Sequence, residues 1–279
     1  MKTGRPWRRR ISMGLQTVLG LRAQGFFSPY RYADAVQPIR HYPELETVFE
    51  AAQPAMSAVL DDIDAYGETL AAFTGPAPKP RWSQSWFPRL DGATAYALVR
   101  QMKPRRIVEV GSGHSTRFMA EALVANGADV MITCIDPAPR AALSGLAVSW
   151  QRRTIGPEDL SLFQGLHAGD MAFFDSSHLL WPGTDVDFMI NRIMPVLRPG
   201  VLLHIHDILL PDPYPEVWAW RGYTEQLGLG GWIMGGAYEI MFSSHYALTR
   251  MGAMARPGIA GLELPDGARE TSLWLRRVA

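Results

Sequence analysis

Four short apolar runs mark the middle of the chain, and each ends in polar side chains at its carboxyl end. They are Ile107-Val108-Glu109-Val110, Ile132-Thr133-Cys134-Ile135-Asp136, Met171-Ala172-Phe173-Phe174-Asp175 and Val201-Leu202-Leu203-His204-Ile205-His206-Asp207. Between them apolar residues recur at helical spacing. Phe118, Met119, Ala122 and Leu123 form one stripe that Gly127 ends, and Val186, Ile190, Ile193 and Leu197 form another before the Pro199-Gly200 turn. Strand and helix patterns that alternate with short connections predict an α/β fold with a parallel, doubly wound sheet. Such sheets bind ligands outside the carboxyl ends of their strands, where these polar groups lie. Ahead of this region, Val48, Ala51, Ala55, Val59, Ile63 and Tyr66 keep helical spacing until Gly75-Pro76-Ala77-Pro78-Lys79-Pro80 breaks it. The pattern predicts an N-terminal helical appendage over residues 1–80 and a main domain over 81–279.

Composition narrows the function classes. A formal net charge of zero provides no global field to recruit nucleic acid or an anionic membrane. Cys134 is the only cysteine, so the chain can form no internal disulfide, which fits a reducing cytoplasm. It falls inside an apolar run and is expected to be a small buried hydrophobe. No apolar run is long enough for a transmembrane helix. Arg8-Arg9-Arg10 and the apolar residues after them imitate a signal peptide, but Gln16, Arg22 and Gln24 interrupt the run. An amphipathic helix packed on the domain or on a partner is the expectation for residues 1–27.

The first apolar run enters the turn Gly111-Ser112-Gly113-His114-Ser115-Thr116. A small-residue turn before a helix brings backbone N–H groups close to a ligand. A dinucleotide fingerprint would place a small residue where Thr116 stands, and Glu109 would repel a pyrophosphate. Glu109 suits a ligand with an ammonium group. Asp136, at the next strand tip, is placed to take ribose hydroxyls. Together these residues resemble class I S-adenosylmethionine (SAM) methyltransferases. Within them GSGHST, DSSH, HIHD and the N-terminal GFFSPYRYAD resemble a bacterial group. The resemblance implies a Rossmann-like, mostly parallel sheet with one antiparallel strand, drawn from Glu239–Phe242 and Ser272–Leu275. It also implies SAM as cofactor, contacted by Glu109, Gly111, Ser112, Gly113, Ser115, Thr116, Asp136, Asp175 and Ser176.

The expected activity is methyl transfer to a small-molecule acceptor, at oxygen, by an enzyme that can form homo-oligomers and binds no nucleic acid. His178, His206 and Asp207 are the catalytic candidates. His178 lies three residues past Asp175, where the similar catechol-type enzymes carry a lysine base after a metal-binding aspartate. An imidazole with an ordinary pKa of ~6.5 can do that work near neutrality. Asp175, His206 and Asp207 are also candidate ligands for a divalent metal. Alternation along the strand points His204 and His206 one way and Asp207 the other, with His204 a structural residue. Two other functions remain open from sequence alone: a metal-dependent hydroxylase-like enzyme on the same fold, and a non-catalytic SAM-binding module. Trp82 and Trp86, four apart, suit one helix face. With Phe87, Trp218, Trp220 and Tyr223 they either pack the core or wall an acceptor pocket. Tyr30-Arg31-Tyr32 either pairs with an anionic substrate or docks the appendage.

Overall fold

In the computed structural model, which describes residues 6–278, seven strands make one sheet. In chain order they are β1 (Ile107–Val110), β2 (Ile132–Ile135), β3 (Val148–Gln151), β4 (Met171–Phe174), β5 (Leu202–Ile205), β6 (Tyr238–Ser243) and β7 (Leu273–Arg277). Their order across the sheet is β3-β2-β1-β4-β5-β7-β6. Only β7 runs against its neighbours β5 and β6. This is the doubly wound sheet with one antiparallel strand. After β1 the chain builds outward through β2 and β3, then returns to place β4 on the other side of β1. The reversal opens a crevice above the ends of β1 and β4, where such folds hold ligands.

The helices that matter are α1 (Pro6–Val18), α2 (Pro43–Ala51), α3 (Gln53–Ala65), α4 (Gly67–Ala71), α5 (Arg89–Met102), α6 (His114–Ala125), α7 (Leu160–Gln164) and α8 (Asp185–Phe188). All four residues of β1, β4 and β5 are buried, as a parallel sheet covered on both faces requires. The stripe Val186, Ile190, Ile193 and Leu197 is buried as expected. Its helix is irregular, though: α8 passes into a π turn and then a 3₁₀ turn that contains Pro195. Proline has no N–H to continue the ladder.

The core does not stop at the Pro-rich stretch. Leu45, Phe49, Met56, Val59, Leu60, Ile63 and Leu70 of α2–α4 belong to the same continuous core as the sheet. Trp82, beyond the stretch, reaches back to donate its Nε1 hydrogen to the Leu70 carbonyl at 2.8 Å. Gly75–Pro80 therefore ends a helix without ending a hydrophobic unit. Trp82 and Trp86 sit in bends ahead of α5 and share no helix face. Trp82 is core, packed on Phe73 and Phe118, while Trp86 is 51% exposed.

The N-terminal helix forms as its spacing predicts, but it does not dock. Its apolar stripe Trp7, Ile11, Leu15 and Val18 is exposed. No described helix is long and apolar enough to cross a membrane. Two truncations should therefore behave differently. A chain starting at Arg40 should unfold cooperatively within a few degrees of the full protein. A chain starting at Arg81 loses eight buried apolar side chains at ~1.5–3 kcal/mol each, a loss as large as the whole ~5–15 kcal/mol that holds a domain folded. It should show no cooperative transition by circular dichroism. A sharp melt from the shorter chain would mean that residues 43–80 are a true appendage.

Candidate active site

The glycine turn is shaped by a packing constraint. Gly111 follows β1 with φ +83°, and a Cβ built on it would stand 1.8 Å from the carbonyl oxygen of Asp175. No side chain fits there, because the end of β4 passes directly against the turn. Asp136 holds the turn from the β2 side, its carboxylate accepting the Ser112 N–H and the Ala138 N–H at 2.6 Å each. Gly111, Ser112, Asp136, Asp175 and Ser176 line a cavity of about 680 Å³ above β1, β2 and β4.

Glu109 lies beneath this cavity and does not line it. It is fully buried, accepting the Ser115 and Thr116 hydroxyls at 2.6 Å each. Thr116 Oγ1 in turn accepts the Gly113 N–H at 2.9 Å. Burial pushes the Glu109 carboxyl up to about 7, against the hydrogen bonds from Ser115, Thr116 and Cys134 that favour its charge. Glu109, Ser115, Thr116 and Gly113 are thus one brace that fixes the turn and the start of α6. Their bearing on the cofactor runs through backbone geometry.

A second cavity of about 370 Å³ adjoins the first, and the two share Arg140, Asp175 and Ser176. His178, His206 and Asp207 line it, with Trp86, Trp218, Arg221 and Tyr223 as walls. Alternation along β5 does not turn Asp207 away. The strand ends at Ile205, and Asp207 takes a left-handed backbone, φ +56°. His178 does the same at φ +59°. Each such residue costs of order 1–3 kcal/mol, repaid here by contacts that fix it. The Thr224 N–H bonds the His178 carbonyl at 3.0 Å, and Thr271 Oγ1 donates to Asp207 Oδ1 at 3.0 Å.

The four polar groups form one charge network. His178 donates from Nδ1 to the buried Glu225 at 2.8 Å, and its Nε2 stands 3.3 Å from Asp175 and 3.6 Å from Asp207. His206 contacts the buried Asp91 through Nε2 at 3.1 Å, and its Nδ1 stands 3.6 Å from Asp175 and 3.7 Å from Asp207. Burial opposes charge on His178, but hydrogen bonds to Asp175 and Glu225 and the nearby carboxylates outweigh it and hold the imidazole well above its ordinary pKa. The charge of Asp175, with its hydrogen bond and that of Asp91, does the same for His206. Burial would raise Asp175, yet the two imidazoles hold it well below the carboxylate range. The surroundings thus favour the charged form of both imidazoles. His204 is buried with Nε2 on Ser272 Oγ at 2.9 Å, and burial holds it neutral, a structural residue as expected.

Asp175, His206 and Asp207 converge as the expected metal ligands would. Among the described residues, however, no group of three or more His, Cys, Asp or Glu side chains has the arrangement of a metal site. The imidazoles stand between the carboxylates as their ion-pair partners, so the ligand set expected from sequence does not fit, and we assign no step to a metal. Tyr30, Arg31 and Tyr32 are exposed and line neither cavity. Sequence reading missed Asp91, Glu225, Arg140 and Arg221. None stands in a motif, and Asp91 and Glu225 arrive from segments 115 and 47 positions from their histidine partners.

Asp136→Ala should weaken SAM binding by roughly ten- to a hundredfold. It removes the ribose hydrogen bonds expected of this residue, worth ~1.5–3 kcal/mol each, and frees the Ser112 amide. Calorimetry with S-adenosylhomocysteine reads this directly, and an unchanged Kd would remove Asp136 from the site.

A family described as "Methyltransferase domain" matches residues 108–208, which run from β1 through the end of β5 and carry every residue of the glycine turn, Asp136, Asp175, His178, His206 and Asp207. No curated protein matches the chain. Among solved structures, the S-adenosylhomocysteine-bound methyltransferase PaMTH1 of Podospora anserina is 16% identical, with a TM-score of 0.41 over 91% of this chain and 100% of its own. A putative methyltransferase from Thermobifida fusca YX is 15% identical, with a TM-score of 0.40 over 70% of this chain and 85% of its own. A branched-chain polyamine synthase from Thermus thermophilus is 12% identical, with a TM-score of 0.39 over 77% of this chain and 65% of its own. The domain match falls on the segment that builds both the reversal of strand order and the glycine turn, and over residues 108–208 the chain is similar to methyltransferase domains.

Proposed function

We propose that the enzyme methylates a hydroxyl oxygen of a small-molecule acceptor and that His178 takes the acceptor's proton. One observation carries this reading. His178 is braced by Glu225 on Nδ1 and presents Nε2 to the second cavity, beside the Asp175 that borders both cavities. A carboxylate on Nδ1 fixes the tautomer in which Nε2 accepts a proton, the logic of other acid–base pairs. Oxygen bonds the methyl carbon as the carbon–sulfonium bond breaks, S-adenosylhomocysteine leaves neutral, and the proton goes to Nε2. The sulfonium is already activated, so the protein's work is positioning and proton removal. His206, between Asp91 and Asp175, compensates the carboxylate charge beside the reacting centre.

A base held as its conjugate acid makes a specific pH demand. His178 has a folded pKa raised above the ordinary 6.5, so neutral imidazole appears only as the pH climbs through the raised value. The logarithm of kcat should therefore still rise with pH above neutrality. Glu225→Gln removes one stabilising carboxylate and should shift that rise toward lower pH. Stability carries the same sign: the contribution of the raised imidazole is complete below the ordinary value and is lost as pH rises through the folded one. His178→Ala should cut kcat by ~10²–10⁴ while S-adenosylhomocysteine binds as before. A rate already flat above pH 6.5, with no response to Glu225→Gln, would take the base role from His178.

A further inference from the structure

The second cavity is lined by both signs of charge, with Arg140, Arg221 and Arg269 beside Asp175, Asp207 and Asp266. At its inner end lie the carboxylates and imidazoles just described. At its outer end it opens into a bay of about 390 Å³ walled by Val217, Trp218, Trp220, Arg221 and the Gly267–Arg269 loop. That lining contains two arginines and no acidic residue. Asp266 lies on the inner cavity only. The Arg221 guanidinium stacks 4.2 Å from the Trp218 ring centroid and meets Asp207 at 3.3 Å through Nη1. Its Nε is buried without a hydrogen-bond partner. Arg269 is exposed and forms no ion pair with any carboxylate among the described residues.

A buried guanidinium N–H without an acceptor is costly, and an unpaired arginine beside it adds positive field. An anion in the bay would pair with Arg269 and with the part of the Arg221 guanidinium left exposed, since charge-assisted bonds from arginine to carboxylate are strong and directional. Between this bay and His178 the walls are flat and aromatic: Trp218, Tyr223 and Trp86, the last covered by Arg140 at 4.3 Å. A flat apolar body stacks there with little loss of entropy. We propose that the outer bay is an anion subsite, in which Arg221 and Arg269 hold the carboxylate of an aromatic hydroxy acid whose hydroxyl reaches the inner cavity. The proposal rests on the acceptor reading above and adds the class of substrate.

Three probes of one shape test it: 4-hydroxyphenylacetate, its neutral amide 4-hydroxyphenylacetamide, and the cationic 4-hydroxyphenylethylamine. Each is titrated calorimetrically into the full-length enzyme saturated with S-adenosylhomocysteine. The acid should bind at least about tenfold more tightly than the amide, and the amine should bind most weakly. Arg269→Gln should abolish the preference, and Arg269→Lys should restore part of it. Equal binding of the three, tighter binding of the amide or amine, no binding of the acid at about 10 mM, or an unaltered preference in Arg269→Gln would each overturn the subsite. Failure to bind S-adenosylhomocysteine would instead strike the cofactor site. An acid that binds with its preference intact, but that is not methylated at its hydroxyl when SAM is supplied, would count against the oxygen-transfer reading and leave the subsite standing.

Discussion

A carboxylate with no exposed surface must be fully partnered, and Asp91 is the one on which the acceptor half of this site hangs. It sits in the first turn of α5 and accepts the backbone N–H groups of Thr271 and Ser272 while contacting His206. Three segments far apart in the chain are thereby fixed to one point. Beside it Arg89 grips Glu270 through two nitrogens, both side chains nearly excluded from water. Breaking one member of a buried pair costs ~3–5 kcal/mol because it strands the other, whereas an exposed pair is worth ~0–1 kcal/mol. The exposed Lys79–Glu121 pair can vary freely. The clamp on Glu270, Thr271 and Ser272 cannot, since Thr271 also holds Asp207.

The cofactor half rests on sterics. Gly111 lets the end of β4 pass against the turn after β1, which brings Asp175 to the border of both cavities. Glu109 then shapes the turn from below, its carboxyl pushed up to about 7 by burial. These contacts are local or lie between adjacent strands. The acceptor half uses contacts across the sheet and two left-handed residues, His178 and Asp207. The two halves thus differ in what a substitution does to the packing: Gly111 admits no side chain at all, while Arg269 is exposed.

That difference explains what could be seen in the sequence. The glycine turn, Asp136, Asp175 and the strand-tip histidines are encoded within single strand–turn units, so periodicity and spacing found them. Asp91 and Glu225 carry no local signal, because their partners His206 and His178 lie 115 and 47 positions away. The upward pull on the two imidazoles was not legible for the same reason, since the carboxylates that exert it are contributed by the fold. Strand alternation failed at Asp207 because β5 ends two residues earlier than the apolar run suggests. The Pro-rich stretch stops a helix, while side-chain packing continues across it through Trp82.

The network also gives a reason for histidine at position 178. Any base in that position faces Asp175, Asp207 and Glu225, and their field raises its pKa. A lysine starts near ~10.4, and the same surroundings would keep it charged at every physiological pH unless burial outweighed them. An imidazole starts near ~6.5, so an upward shift of the same sign still leaves its neutral form within reach. The carboxylates cannot simply be dispensed with, because Glu225 orients the ring and Asp175 belongs to the wall shared with the cofactor. With the acidic surroundings fixed by orientation and by the fold, the lower intrinsic basicity of imidazole is what would allow one group to serve the proposed mechanism both as counterion at rest and as proton acceptor in turnover.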